Sequence, residues 1–154
     1  MKAIGFRADP NALYWAVVSD GPLQRVASGK LPAPAKYEEP AALSWYRTEV
    51  RNLIDEFSPD CAGVRYPEPS ARVRYVVSAH ARVRIEGVVL EAIDSKALPV
   101  LVGANATISS KLESKSAKAY LDTSSFRGID WTALSDEIRQ AVLVAAAAIG
   151  SQNA

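Results

Sequence analysis

The 154-residue sequence holds one cysteine, Cys61, so an internal disulfide is excluded and a reducing, cytoplasmic compartment is expected. It holds one histidine, His80, which leaves a Cys/His zinc site and a Ser-His-Asp triad with little support. His80 reads instead as a surface residue within a basic run. No apolar run reaches membrane-spanning length, the longest being the alanine-rich 141–149, so no membrane partner is expected. Neither sign of charge dominates: 18 Lys and Arg against 17 Asp and Glu give a net charge of +1. Attraction to a polyanion through bulk charge is thereby excluded, and basic residues can act only as a local patch. There is no internal repeat, and the opening residues 1–5, which lead straight into a strand-like segment, give no expectation of a secretory leader. There is no glycine-rich phosphate loop either, since 103–107 lacks the lysine and the spacing.

What remains is ordinary globular material, 49% hydrophobic and 23% charged, at a length that suits a single domain over 1–154. Residues 3–6, 13–19 and 24–31 read as strands. They are separated by Asp9-Pro10-Asn11 and Asp20-Gly21-Pro22, turn clusters that join them into an antiparallel meander. After a proline-rich linker, Leu43, Tyr46, Val50, Leu53, Ile54 and Phe57 recur at helical spacing, with Pro40 suited to the first turn. Residues 61–66 form a fourth, buried strand that opens on Cys61 as a small core residue.

Residues 71–97 carry two patterns. Arg72-Val73-Arg74-Tyr75 and Arg82-Val83-Arg84-Ile85 alternate as a hairpin over 71–86 would. Val76, Ala79, Val83, Leu90, Ile93 and Ala97 share one helical stripe, with Gly87 on the same face, and the length and the absence of an internal turn favour the helix. A fifth strand at 98–102 and short helices over 105–123 follow, then a loop at 124–128. A last helix is capped by Asp130, with Trp131, Leu134, Ile138, Val142, Ala145 and Ile149 on its buried stripe. Trp15, Trp45 and Trp131 all fall on apolar stripes, as core or dimer contacts would.

This order of elements resembles the ribonuclease H-like fold, and within it the RuvC Holliday junction resolvases. The residues that carry the resemblance are Ala3-Ile4-Gly5-Phe6-Arg7 with Tyr14-Trp15-Ala16-Val17-Val18, then Ser58-Pro59-Asp60 before the fourth strand. They continue with Ile85-Glu86-Gly87-Val88-Val89-Leu90, Leu98-Pro99-Val100 and the helix around Arg139-Gln140-Ala141. The resemblance covers most of the chain as a pattern of elements. It implies an α/β fold with a mixed five-stranded sheet, the first three strands antiparallel, flanked by helices. It also implies a homodimer.

Resolvases of this kind cleave phosphodiesters with metal ions held by carboxylates, because hard divalent cations take oxygen ligands and two of them clamp the attacking and leaving oxygens. The resemblance puts such acids where this sequence has Arg7, Arg65 and Gln140, and only Glu137 keeps one. A guanidinium cannot ligate a cation. Two readings of Arg7 and Arg65 stand: they hold a phosphate through bidentate hydrogen bonds, or they pair with Asp136 or Glu137 in a degenerate site. A basic run, Arg65, Arg72, Arg74, Arg82 and Arg84, is followed by Lys111, Lys115 and Lys118; it is either a phosphate-tracking patch or a solvated face.

The expectation is a RuvC-like protein without most metal-binding acids and without a cofactor, binding DNA or RNA or acting as a scaffold. One alternative is a structure-selective endonuclease that holds Mg²⁺ or Mn²⁺ on a shifted set of acids, Asp9, Glu68, Asp136 and Glu137. The other is a protein–protein adaptor, which the near-zero net charge favours.

Overall fold

A computed structural model describes residues 1–69 and 76–154. Arg72 and Arg74 lie outside the described residues. Five strands form one sheet: β1 (Lys2–Asp9), β2 (Ala12–Ser19), β3 (Gln24–Pro32), β4 (Cys61–Arg65) and β5 (Val100–Gly103), in the order β3-β2-β1-β4-β5. The first three are antiparallel neighbours, and β4 and β5 run parallel to β1. This is the mixed sheet expected from the element order. The β1–β2 turn is closed by Asp9, whose Oδ1 accepts the Asn11 amide at 2.8 Å.

Helix α1 (Glu39–Phe57) starts with a proline in its first turn and ends at Ser58, a left-handed residue at φ 47° whose amide donates to the Ile54 carbonyl. Helix α2 (Val76–Ser95) settles the ambiguous stretch in favour of a helix from residue 76 onward. One consequence bears on the site: Arg82 and Arg84, which would share a face on a strand, lie some 200° apart around a helix. Helix α3 (Asn105–Lys111) packs on β5 and on a 3-10 turn (Ala117–Asp122). The expected loop at 124–128 belongs to a small hairpin, β6 (Ser125–Phe126) with β7 (Ile129–Asp130). The last helix, α4 (Asp136–Gln152), is capped by Ser135, whose side chain accepts the Ile138 amide, and not by Asp130. Asp130 instead accepts the amide and the hydroxyl of Thr132, holding the turn before the helix.

The alternation of side chains along β1 and β4 splits the core in two. Ile4, Phe6, Ala62 and Val64 face α1 and α2, with Tyr46, Val50, Val89 and Ile93. Ala3 and Cys61 face α4, whose residues 141–149 are buried throughout. Burial, foremost, pushes the Cys61 thiol up to about 11, so it stays protonated and inert at neutral pH.

α4 lies unusually close to the sheet. A Cβ on Gly5 would stand 2.1 Å from the Ala141 carbonyl oxygen, and one on Gly63 2.5 Å from that of Val144. Two glycines on paired strands thus let a helix backbone touch a sheet backbone, and the alanines of α4 complete the contact.

Gly63→Ala is therefore expected to destabilise the protein by roughly 1–3 kcal/mol through overpacking against backbone. Gly87→Ala, in the α2 interior with open space around its Cβ position, is expected to stabilise by up to about 1 kcal/mol. Thermal melts of the two variants check the contrast, and a similar loss in both would refute the close-packing account.

Candidate nucleic-acid interface

Arg7 stands two residues from the end of β1, and Arg65 is the last residue of β4. They are register partners across the parallel pair. Both share the alternation of Gly5 and Gly63, so they leave the sheet toward the α4 layer, at the carboxyl ends of the parallel strands. That edge is where open α/β sheets generally bind ligands.

α4 supplies the next contact. Its second turn places Gln140 so that Oε1 accepts Arg7 Nε at 3.1 Å, while Arg7 Nη1 donates to the Ala8 carbonyl at 3.1 Å. Arg65 Nη2 donates to Glu68 Oε1 at 2.9 Å, and the same oxygen accepts the Asn105 amide at 2.9 Å. Burial works to raise the Glu68 carboxyl, but the Asn105 amide and Arg65 outweigh it and hold it below the ordinary value of 4.5.

The third arginine comes from the other layer. Arg82, on α2, is largely buried and lies close enough to Arg7 and Arg65 to feel both charges. Burial first, and then the Arg7 charge, pull its own proton affinity down. One turn along, Glu86 is 4% exposed, and its Oε2 stands 3.5 Å from Arg82 Nε. That distance makes an ion pair without a hydrogen bond. Burial pushes the Glu86 carboxyl above 4.5, against the pull of Arg82 and Arg7. Arg65 Nη1, Arg82 Nε and Glu86 Oε2 are buried polar atoms with no hydrogen-bond partner among the described residues. Each such atom costs about 1–3 kcal/mol.

The structure thus brings together Arg7, Arg65, Arg82 and Gln140. Lys118 stands at the rim, its charge reaching Glu68 and its backbone amide donating to Asn105 Oδ1 at 2.8 Å. Arg84 is apart: its Nε meets Glu39 of α1 at 2.9 Å on the outer face. Lys111 closes α3 half-buried, and Lys115 is exposed beyond it; no hydrogen bond or ion pair among the described residues links either to the arginines. His80 is exposed on α2.

The four alternative acids are not gathered. Asp9 closes its turn, Glu68 is held by Arg65 and the Asn105 amide, and Asp136 and Glu137 stand in the first turn of α4. Among the described residues, no group of three or more His, Cys, Asp or Glu side chains could hold a metal ion. Guanidiniums at the strand ends repel a divalent cation and offer it no lone pair, so this donor set does not fit one. No helix among the described residues is long and apolar enough to cross a membrane.

Solved structures give the wider frame. Thermus thermophilus RuvC in complex with a Holliday junction substrate superposes with a TM-score of 0.76 at 15% identity, covering 99% of this chain and 95% of that one. A second Thermus thermophilus RuvC structure gives 0.74 at 12% identity, covering 99% and 96%. A yeast mitochondrial Holliday junction resolvase gives 0.55 at 12% identity, covering 98% and 78%. The fold is that of the RuvC resolvases. No family model and no curated protein matches the sequence itself. On this RuvC-like fold, Arg7 and Arg65 lie side by side at one edge of the sheet, and Gln140 meets Arg7 there.

Glu86 is the residue that sequence reasoning missed. Its only signal was the i,i+4 spacing from Arg82, which is informative once the segment is known to be a helix.

A carboxyl-detected NMR titration is expected to place Glu86 above 4.5 and Glu68 below it. The linkage signs are opposite. The raised Glu86 contributes stability that is complete below 4.5 and lost as the pH rises through its folded value. The lowered Glu68 contributes stability present above 4.5 and lost as the pH falls through its folded value. Two midpoints on the same side of 4.5 would contradict this assignment.

Proposed function

We propose that this protein binds nucleic acid on a RuvC-like fold without cleaving it, as a non-catalytic DNA- or RNA-binding or scaffold protein. The observation that carries the reading is the register pair Arg7–Arg65 at the carboxyl edge of the sheet, joined by Arg82. Guanidinium forks bind phosphate oxygens directly and in fixed geometry, with no metal between protein and strand. The net charge of +1 is no obstacle, because the positive groups are concentrated at one edge. The likeness to a RuvC seen with a Holliday junction substrate supports a branched DNA as the first substrate to try. A homodimer belongs to the same reading, and sedimentation of the free protein tests it.

The test uses an end-labelled four-way DNA junction with Mg²⁺ or Mn²⁺, run on native and denaturing gels. A shifted band with intact strands is expected. The Arg7→Ala, Arg65→Ala double variant is expected to bind at least about tenfold more weakly and to lower the salt slope by about 2, one unit per lost phosphate contact. Metal-dependent cuts that disappear in Asp9→Asn would establish the shifted-acid endonuclease instead. Neither shift nor cuts, with RNA junctions also unbound, would leave the protein–protein adaptor.

A further inference from the structure

The three arginines are not equivalent. Arg7 is held through Nε and Nη1, and Arg65 through Nη2. These contacts fix the planes of two forks while Arg65 Nη1 keeps a buried donor without an acceptor among the described residues. Arg82 Nε is the second such donor, and it comes from the opposite layer of the fold. The Glu86 carboxylate stands 3.5 Å from it, without a hydrogen bond. Three cations therefore face one buried carboxylate, and Glu68 stands at the more exposed rim, 40% accessible. Counting all five groups leaves one positive charge unanswered. A single phosphodiester is an anion with two free oxygens, which matches the positive cluster and the two idle donors.

We propose that Arg7, Arg65 and Arg82 form a pocket for one phosphate group of a nucleic-acid strand, and that this phosphate displaces the Glu86 carboxylate from Arg82. This rests on the nucleic-acid reading above and adds to it a defined single-phosphate pocket with a built-in competitor. Glu86 is a positioning residue: it occupies Arg82 in the free protein and gives way when the strand arrives. Once displaced into a buried setting beside a phosphate, the carboxylate takes a proton from solvent, so binding and proton uptake are coupled. Burial already pushes Glu86 toward its neutral form, which makes that exchange easier. The groups facing it are Arg82 on its own helix, Arg7 on β1 and Tyr66 just beyond β4, with Arg65 acting on Arg82. Of these only Glu86 is a carboxylic acid.

The consequence is a pH dependence of sign opposite to that of simple charge pairing at Glu86. Affinity rises as the pH falls and Glu86 is neutralised. Glu86→Gln, close to the same shape, mimics the neutral form at every pH.

The experiment is fluorescence anisotropy of a labelled four-way DNA junction in EDTA, between pH 5 and 8. His80→Gln is carried in every protein, so that the only histidine does not contribute. Glu86→Gln is expected to bind on the order of tenfold more tightly than its parent at pH 8 and to lose the parent's pH dependence. Arg82→Ala is expected to bind on the order of tenfold more weakly, with the salt slope reduced by about 1. Arg82→Lys, which keeps the charge and loses the fork, should retain the slope and lose affinity. Melting curves confirm that each variant is folded.

If Glu86→Gln and its parent bind alike, with one pH profile, while the Arg7 and Arg65 variants lose binding, the displacement is wrong and the nucleic-acid reading survives. If the parent binds no junction at any pH and Glu86→Gln does not restore binding, both fall together.

Discussion

The candidate site depends on one close contact: the backbone of α4 resting on Gly5 and Gly63. Few helices can lie that near a sheet, because a Cβ at either glycine would meet a carbonyl oxygen at 2.5 Å or less. The alanines that follow Gln140 along α4 are the other half of the same constraint. With the helix fixed there, its second turn has one place to go, above the end of β1, and Gln140 meets Arg7. A bulkier sheet would raise the helix, separate that pair and open the arginines to water. Backbone proximity deep in the core thus sets side-chain geometry at the edge.

That geometry explains why three arginines can share a small volume. Each is anchored by a different device: a side-chain amide on α4, a carboxylate three residues along the chain, and a carboxylate one helical turn away. None of these neutralises the group fully. The cost appears as buried donors without acceptors and as the reduced proton affinity of Arg82, which burial and a neighbouring cation both produce. A protein selected only for stability would find apolar residues cheaper here. Charge concentrated at a strand edge, in a chain with almost no net charge, is what the proposed site is argued from.

Most of the fold was legible because its signals are local. Turn clusters delimited the meander, helical spacing marked α1 and α4, and the element order led to the mixed sheet. Legibility failed where competing local signals were equally good. Asp130 and Ser135 are both competent caps, and only tertiary contact decides that Asp130 holds the preceding turn. The Arg-Val-Arg-Ile alternation obeys a strand period, yet α2 buries Ile85, Val89, Ala92 and Ile93 against the sheet, and that stripe prevails. The ambiguity of period carried into the site. Read as one basic run, Arg82 and Arg84 looked alike; on a helix one enters the cluster and the other pairs with Glu39. Glu86 went unnoticed for the same reason, since its importance lies in what surrounds it.

A fold does not dictate the chemistry that its edge performs. Carboxylates at strand ends and a helix turn recruit cations, and the cations in turn bind phosphate. Replace those side chains by guanidiniums and the intermediary becomes unnecessary, since the protein carries the positive charge itself. Under the proposed reading the affinity for a nucleic-acid backbone survives that inversion. On that same reading what disappears is the metal-activated water, so that cutting is lost while binding is kept. The sign of charge at the end of β1 and β4 then decides between a nuclease and a binder, with the scaffold beneath unchanged.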